Sequence, residues 1–464
     1  MEAGLFRFLR FSLGLEGEVK GLLDGRKGAF DWDACYQFAK RQTLVGVLFD
    51  GIQRLPKELA PTRPLLLRWL SDSESIRRRN MRMDRASAYV YNKVCAAGFR
   101  CCILKGQGNA LLYPHPSSRI PGDVDVWVMA NREELRHIAL SLTEGDGSSL
   151  QESLNHIGLT VHGVSAELHS TPALLNSPLH NSRLQRWLKR NADLQCSNRI
   201  ALPNNAGEVA VPTLSFNIIY QLCHLFHHCF YEGVGLRQIV DYYFVLMNTD
   251  FSGNTDGGAG NTDCFSGNTD CDGVLSNTDF TDNTDRIGGN AESDGSLMNT
   301  DCTDFTDSSS GDFEGDGCLL NTDCAEFLDS SSGGLGEVDS GGALVALQEE
   351  LKWLGLGEFA GAVMYVLREV MGLDEKRMIC APDERRGRLL LEEIMAGGNF
   401  GHYDTRNHFG QGALWHNIQR FRRDWRMLRF YPSEALSEPL FRAWHFLWRW
   451  KQKHTGMPKE RNLN

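Results

Sequence analysis

Long apolar runs and patterned cysteines are both missing from this 464-residue sequence. No run approaches the ~18–20 apolar residues that a membrane-spanning helix needs, which argues against a membrane protein. Glu2, Arg7 and Arg10 interrupt the first apolar stretch, so we expect it to be a poor signal peptide. The 13 cysteines show no metal-ligand spacing, and we interpret them as reduced thiols. These features together predict a soluble, cytoplasmic protein without membrane contact.

Basic residues and proline are nearly absent from residues 248–342. This segment contains 21 Asp and Glu, no Pro and one basic residue, Arg286, which gives it a charge of −20. The whole chain carries −11, so the remainder carries +9. A mildly basic remainder suits an anionic ligand such as a nucleotide, although it does not require one.

The same acidic segment repeats the triplet Asn-Thr-Asp eight times. High charge combined with few apolar residues predicts a disordered insertion. The irregular spacing of the repeats argues against a solenoid. Weak calcium binding is the alternative, although the oxygen spacing and closing Glu of an EF-hand loop are missing.

Outside the insertion, hydrophobic periodicity predicts helices at both ends of the chain and a small core of strands and helices between them. Trp69, Ile76, Met83 and Val90 recur every seven residues, as on one face of a helix. The predicted fold is therefore α+β, with a mixed-sheet core flanked by helical N- and C-terminal regions. The predicted regions are 1–98 (helical), 99–212 (core), 213–247 (helical), 248–342 (insertion) and 343–464 (helical).

Two carboxylates stand one residue apart in the apolar stretch RIPGDVDVWV, residues 119–128. In a strand, Asp123 and Asp125 would share one face and lie roughly 6–7 Å apart along the chain, where they repel each other. A solvated strand edge tolerates such a pair because charges there discourage aggregation. A bound cation would instead make the pair useful.

Two neighbouring motifs favour the cation. A predicted strand ends at Leu104-Lys105-Gly106 and opens a helix whose N-terminal amides could receive phosphate oxygens. A later strand, in AELHS, offers Glu167. Three carboxylates on adjacent strands can hold two Mg²⁺ ions roughly 3.5–4 Å apart, the arrangement that supports in-line phosphoryl displacement.

This order of motifs resembles the nucleotidyltransferase superfamily of the DNA-polymerase-beta type. More narrowly, LKG, LYPHPSSRIPGDVDVWV and VSAELHS resemble the bacterial "uncharacterised nucleotidyltransferase" family, as do HLFHHCFYEGVGLRQIVDYYFVL and MAGGNFGHYD further along the chain. Two features depart from the superfamily pattern. Gln107 stands where Ser usually follows the glycine, and Asp123 lies 17 positions after Gly106.

The resemblance implies a metal-dependent enzyme that moves a nucleoside monophosphate from an NTP to an acceptor and releases pyrophosphate. Mg²⁺ or Mn²⁺ would be the cofactor, and the acceptor could be a sugar, a small molecule, a protein or an RNA. The implied catalytic and metal-binding residues are Asp123, Asp125 and Glu167, and the implied nucleotide-binding residues are Lys105, Gly106 and Arg119.

Several alternatives stay open at the level of sequence. The same fold could serve a catalytically weak nucleotide- or RNA-binding protein, such as a sensor or a toxin–antitoxin component, because fold does not imply function. His224 and His228 have the i, i+4 spacing of zinc ligands, but without a third ligand or the glutamate of an HExxH motif a structural helix is the preferred interpretation. Arg237 and Asp241 have the spacing of a helical ion pair. The basic and aromatic residues of 417–453 favour a helical bundle with long basic side chains at its surface, and single-stranded nucleic acid binding is the alternative.

Overall fold

The structure, a computed structural model, describes residues 2–17, 30–143, 150–250, 340–404, 406, 421–422 and 424–454. The predicted insertion therefore lies outside the described residues, except for its first three and last three positions. In this part of the chain no helix combines the length and apolar character needed to cross a bilayer.

A mixed sheet of five strands lies at the centre of the predicted core. Its strands are β1 (Cys101–Leu104), β2 (Val124–Val128), β3 (Gln151–Glu152), β4 (His156–Val161) and β5 (Val164–His169). The strand order is β1-β2-β5-β4-β3, in which only the β2–β5 pair is parallel. A separate hairpin joins β6 (Arg199–Leu202) to β7 (Gly207–Ala210).

Helices precede, interrupt and follow the sheet, so the predicted fold class is confirmed. Before it stand α1 (Glu2–Ser12), α2 (Trp32–Arg41), α3 (Val45–Gln53) and α4 (Arg63–Ala96). Among the strands lie α5 (Gly106–Ala110), α6 (Arg132–Leu142) and α7 (Pro178–Ser197). After them come α8 (Leu214–Tyr231), α9 (Leu236–Asn248), α10 (Ser340–Trp353), α11 (Gly357–Met371), α12 (Glu384–Gly397) and α13 (Pro432–His454).

The two faces of the sheet have different roles because side chains alternate along each strand. Val124, Val126 and Val128 of β2 are buried in the core, and helix α4 packs against β1, β2 and β5. Trp127 belongs to the opposite face and stacks on Phe216 of α8, with ring centroids 5.9 Å apart. Asp125 shares the face of Trp127, so the carboxylates lie on the side of the sheet away from the valines.

Local signals fix several element boundaries. Asn131 caps α6, since its side chain accepts from the Glu134 amide while Glu134 accepts from the Asn131 amide. His162 and Gly163 both have positive φ, +51° and +72°, as the two-residue turn of a β4–β5 hairpin requires. Gly233, with φ +119°, and Gly235 lie in the break that separates α8 from α9.

Candidate functional site

The parallel pairing of β2 with β5 places Asp125 directly beside Glu167. Asp123 immediately precedes β2, and one ligand oxygen from each of the three carboxylates lies within 4.8 Å of the other two. The arrangement fits a divalent cation, because carboxylate oxygens are the ligands that Mg²⁺ and Mn²⁺ prefer. The acids that the sequence singled out are thus brought together.

Two cationic side chains also contact Asp125, which is buried. Lys105 Nζ lies 3.0 Å from Asp125 Oδ2, and His169 Nε2 lies 2.9 Å from Asp125 Oδ1. Burial acts to raise the pKa of Asp125, but Lys105 and His169 outweigh it and hold that pKa well below its usual range. Burial likewise opposes the charge on His169, yet its hydrogen bonds to Asp125 and Glu167 raise its pKa to about 9.

Asp123 has the opposite electrostatic environment. Burial, followed by the negative charges of Asp125 and Glu167, raises the pKa of Asp123 to about 7. Near neutral pH this carboxyl therefore binds a proton part of the time. A cation bound between the three acids would offset both the cost of burying the charge on Asp123 and its repulsion by Asp125 and Glu167.

We expect the metal-free protein to lose a stabilising contribution from Asp123 as the pH rises from about 4 to about 7. In this window the folded state holds a proton on Asp123 that the unfolded chain, with a pKa of about 3.9, has released. The free energy of unfolding from this group then falls by up to about 1.4 kcal/mol per pH unit. The measurement is urea unfolding in chelator across this range for the wild type and Asp123→Asn.

The variant isolates this group because its amide does not titrate. The free energy of unfolding of Asp123→Asn, relative to that of the wild type, should rise as the pH increases from 4 to 7. Above pH 7 this difference should stay constant. A difference between the two proteins that does not vary with pH would contradict the raised pKa.

The turn that follows β1 approaches the carboxylates through a strained backbone. Lys105 has φ +47° and ψ −130°, a conformation rarely adopted by a residue with a side chain, and Gly106 has φ +38°. A Cβ on Gly106 would stand 3.6 Å from the Asp123 carbonyl oxygen. The turn thus brings the Lys105 ammonium to Asp125 and the Gly106 backbone to Asp123.

The histidine pair of α8 supports this turn. Lys105 Nζ lies 3.3 Å from His224 Nε2, and His228 Nε2 lies 3.0 Å from the same nitrogen. Since an ammonium can only donate, His224 must accept at Nε2. Burial, followed by the positive charge of Lys105, lowers the pKa of His224 well below its ordinary value, consistent with a neutral ring. His224 thus accepts a hydrogen bond from Lys105 and holds the turn in place. The i, i+4 spacing did not indicate this contact.

Arg119, predicted to meet phosphate, is buried and bound to a carboxylate. Its Nε and Nη2 each donate to Asp241, at 2.7 Å, and the Tyr113 hydroxyl donates to the same carboxylate. Arg237, the residue spaced to pair with Asp241, donates through Nη1 to the Ile120 carbonyl instead. Arg119 therefore anchors its loop to α9, and contact with phosphate would require it to leave this ion pair.

Two residues near the carboxylates were not identified from the sequence as site residues. Arg79 of α4 donates through its Nη2 to the Gly122 carbonyl. Burial, followed by the charge of Arg82, lowers the pKa of Arg79, and the negative charge of Asp123 opposes that shift. His156 of β4 lies opposite His169 in the strand register, with its Nε2 3.6 Å from Glu167 Oε1. Only strand register could have indicated His156, because it lies 11 positions from Glu167 in the chain.

Comparison with known proteins supports the family resemblance. No curated protein matches this chain. One similar solved structure is the crystal structure of an antigenic nucleotidyltransferase-like protein from Paracoccidioides brasiliensis, 16% identical, with 36% of this chain and 75% of that chain covered. Its TM-score is 0.24, so this likeness carries no argument. Residues 28–256 match the family described as "Uncharacterised nucleotidyltransferase". Over this range the chain belongs to the uncharacterised nucleotidyltransferase family.

Proposed function

We propose that this protein is a metal-dependent nucleotidyltransferase. It moves a nucleoside monophosphate from an NTP to a hydroxyl or phosphate of an acceptor and releases pyrophosphate. The acceptor belongs to one of four classes, namely a sugar, another small molecule, a protein side chain or an RNA end. The reaction takes place in the cytoplasm, where NTP and Mg²⁺ are available.

The observation that carries the proposal is the convergence of Asp123, Asp125 and Glu167 at the β2–β5 pair. Burial, followed by the negative charges of Asp125 and Glu167, raises the pKa of Asp123. Such a cluster is unfavourable without a cation and suited to binding one. Membership of a nucleotidyltransferase family supplies the reaction class.

Each predicted residue receives a role in this proposal. Asp123, Asp125 and Glu167 hold Mg²⁺ or Mn²⁺, which when bound neutralises triphosphate charge and lowers the pKa of the attacking hydroxyl. Lys105 and Gly106 form the turn that would receive the triphosphate, and Lys105, now 3.0 Å from Asp125, would donate to a phosphate oxygen there. Arg119 would contribute to phosphate binding only by releasing Asp241.

The test is a melting-temperature screen of the full chain with each NTP in turn, with Mg²⁺ or Mn²⁺. A ligand at 100 times its Kd adds about 2.7 kcal/mol to the free energy of unfolding, so we expect a rise of several degrees with at least one NTP. The rise should be absent from Asp123→Asn and retained by Glu208→Gln, which removes an exposed carboxylate of β7. Equal rises in all three proteins, or none with any NTP, would contradict the proposal.

One observation favours the second candidate, a nucleotide- or RNA-binding protein with little catalytic activity. Asp125 is already neutralised by Lys105 and His169, at 3.0 and 2.9 Å, so the chain supplies its own cations to this carboxylate. In a binding protein Asp125 would only form hydrogen bonds within this cluster, so Asp125→Asn should leave nucleotide binding intact. In an enzyme the same substitution should nearly abolish the transfer reaction.

A further inference from the structure

A second group of metal-ligand side chains lies beside the three carboxylates. His156, Glu167 and His169 each offer one donor atom within 4.8 Å of the other two. His156 Nε2 lies 3.6 Å from Glu167 Oε1, and His169 Nε2 lies 3.2 Å from Glu167 Oε2. Donor atoms bound at 2.0–2.2 Å to one ion are at most about 4.4 Å apart, so small side-chain shifts would bring these atoms to one ion.

The strand register explains how three residues far apart in the chain meet. His156 of β4 is the antiparallel partner of His169 of β5, and their ring centroids are 5.1 Å apart. Glu167 is two residues before His169 and therefore shares its face of the sheet. The strands are part of the five-stranded sheet, so this donor set is held by a paired backbone and not by a loop.

Gly158 and Gln151 border this group on the side of β3 and β4. Gly158 of β4 is the register partner of Glu167, so this face has no side chain opposite the carboxylate. A Cβ on Gly158 would have its nearest contact at 3.5 Å, on Gln151, so packing does not require glycine there. The side chains of His156 and Glu167 are 24% and 25% exposed, whereas that of His169 is 7% exposed. Solvent therefore reaches the group from the side of His156 and Glu167.

The chemistry of the donors differs from that of the three carboxylates. Two imidazoles and one carboxylate form a ligand set used by catalytic zinc and by non-haem iron, with further positions open to water or substrate. Mg²⁺ prefers oxygen ligands, whereas imidazole favours transition metals. The two adjacent groups thus have different metal preferences.

We propose that His156, Glu167 and His169 form a binding site for a divalent transition metal of the Zn²⁺ class, adjacent to the three-carboxylate site and sharing Glu167 with it. This inference goes beyond the proposed nucleotidyl transfer and does not require it. The ion would be bound through the Nε2 atoms of His156 and His169 and one Glu167 oxygen. It would displace the proton on His169 Nε2 and the hydrogen bonds of that atom to Asp125 and Glu167, and the released proton would pass to solvent.

The experiment uses Co²⁺ as a spectroscopic substitute for Zn²⁺ on the full chain after removal of metals with a chelator. Without nucleotide, the wild type should bind Co²⁺ with visible absorption bands from nitrogen-coordinated cobalt. His156→Gln should weaken Co²⁺ binding by at least about tenfold and leave the effect of Mg²⁺ on the melting temperature unchanged. His137→Gln removes an exposed imidazole of α6 and should bind Co²⁺ like the wild type.

X-ray absorption at the cobalt edge of the wild-type protein provides a test that does not depend on a variant folding. Scattering from two imidazoles is expected. A spectrum with oxygen ligands alone, or His156→Gln binding Co²⁺ as tightly as the wild type, would overturn the inference. If Asp123→Asn alone removes Co²⁺ binding, the ion lies among the three carboxylates, so this inference fails and the proposed function stands. If no NTP raises the melting temperature of the wild type while Co²⁺ binding still depends on His156, the proposed function fails and this inference stands.

Discussion

Asp125→Asn is expected to reduce nucleotidyl transfer by about 10³-fold. The carboxylate is the central member of the three-acid group, since it lies beside Glu167 in the register and two residues from Asp123. Loss of a metal ligand removes several kcal/mol of transition-state stabilisation, and about 4 kcal/mol corresponds to 10³-fold in rate. The measurement is transfer of label from an α-³²P-labelled NTP to cell-extract acceptors, with pyrophosphate release followed in parallel.

Asparagine keeps the size of the side chain. Its one amide oxygen can accept from Lys105 while its NH2 donates to a neutral His169, so the variant should fold. Glu208→Gln, which removes an exposed carboxylate, should transfer label at the wild-type rate. If Asp125→Asn transfers label as fast as the wild type, two-metal chemistry at this site is wrong. If the wild type binds NTP with metal but transfers no label to any acceptor class, the binding-protein alternative gains support.

Arg119→Met is expected to lower the free energy of unfolding by about 3–5 kcal/mol. The side chains of Arg119 and Asp241 are only 4% and 7% exposed, and two 2.7 Å hydrogen bonds join them. Removing the guanidinium leaves a buried carboxylate without its principal cation. Burial acts to raise the pKa of Asp241, and Arg119 is the main reason that it is lowered instead. Urea unfolding at neutral pH measures the loss.

A matched variant separates the ion pair from general disruption of the core. Arg119→Met combined with Asp241→Leu replaces both charges by apolar side chains and should recover most of the lost stability. Recovery should be incomplete by about 1 kcal/mol, because the Tyr113 hydroxyl loses its acceptor. If Arg119→Met has the wild-type free energy of unfolding but its melting temperature no longer rises with NTP, the role of the guanidinium is to bind phosphate, as the family resemblance implied. Its ion pair with Asp241 then contributes little to stability.

Alternation and local turn signals made much of the core predictable. The two faces of β2 follow from alternation along that strand alone. One face carries Val124, Val126 and Val128, and the other carries Asp125 and Trp127. Gly163 lies in the β4–β5 turn with φ +72°, a conformation for which glycine is the typical residue. These features depend on residues close together in the chain, and a single sequence contains that information.

Partner choice among charged residues was not predictable in the same way. Spacing on α9 suggested that Asp241 pairs with Arg237, but Asp241 accepts from Arg119, which lies 122 positions earlier in the chain. Lys105 likewise meets His224 of α8, 119 positions later. A buried carboxylate binds whichever cation packing places at hydrogen-bond distance, and chain spacing does not limit that choice.

The sequence by itself determined the α+β fold class and the strand that contains Asp125, and it pointed to the three acids. These features depend on periodicity and short motifs, which extend over only a few neighbouring residues. The tertiary structure alone decided that β5 pairs parallel to β2, which sets Glu167 beside Asp125. It also decided that β4 pairs with β5 in the register that brings His156 to His169. The physical reason is that strand pairing is a choice among distant segments, made by burial of apolar faces over the whole sheet.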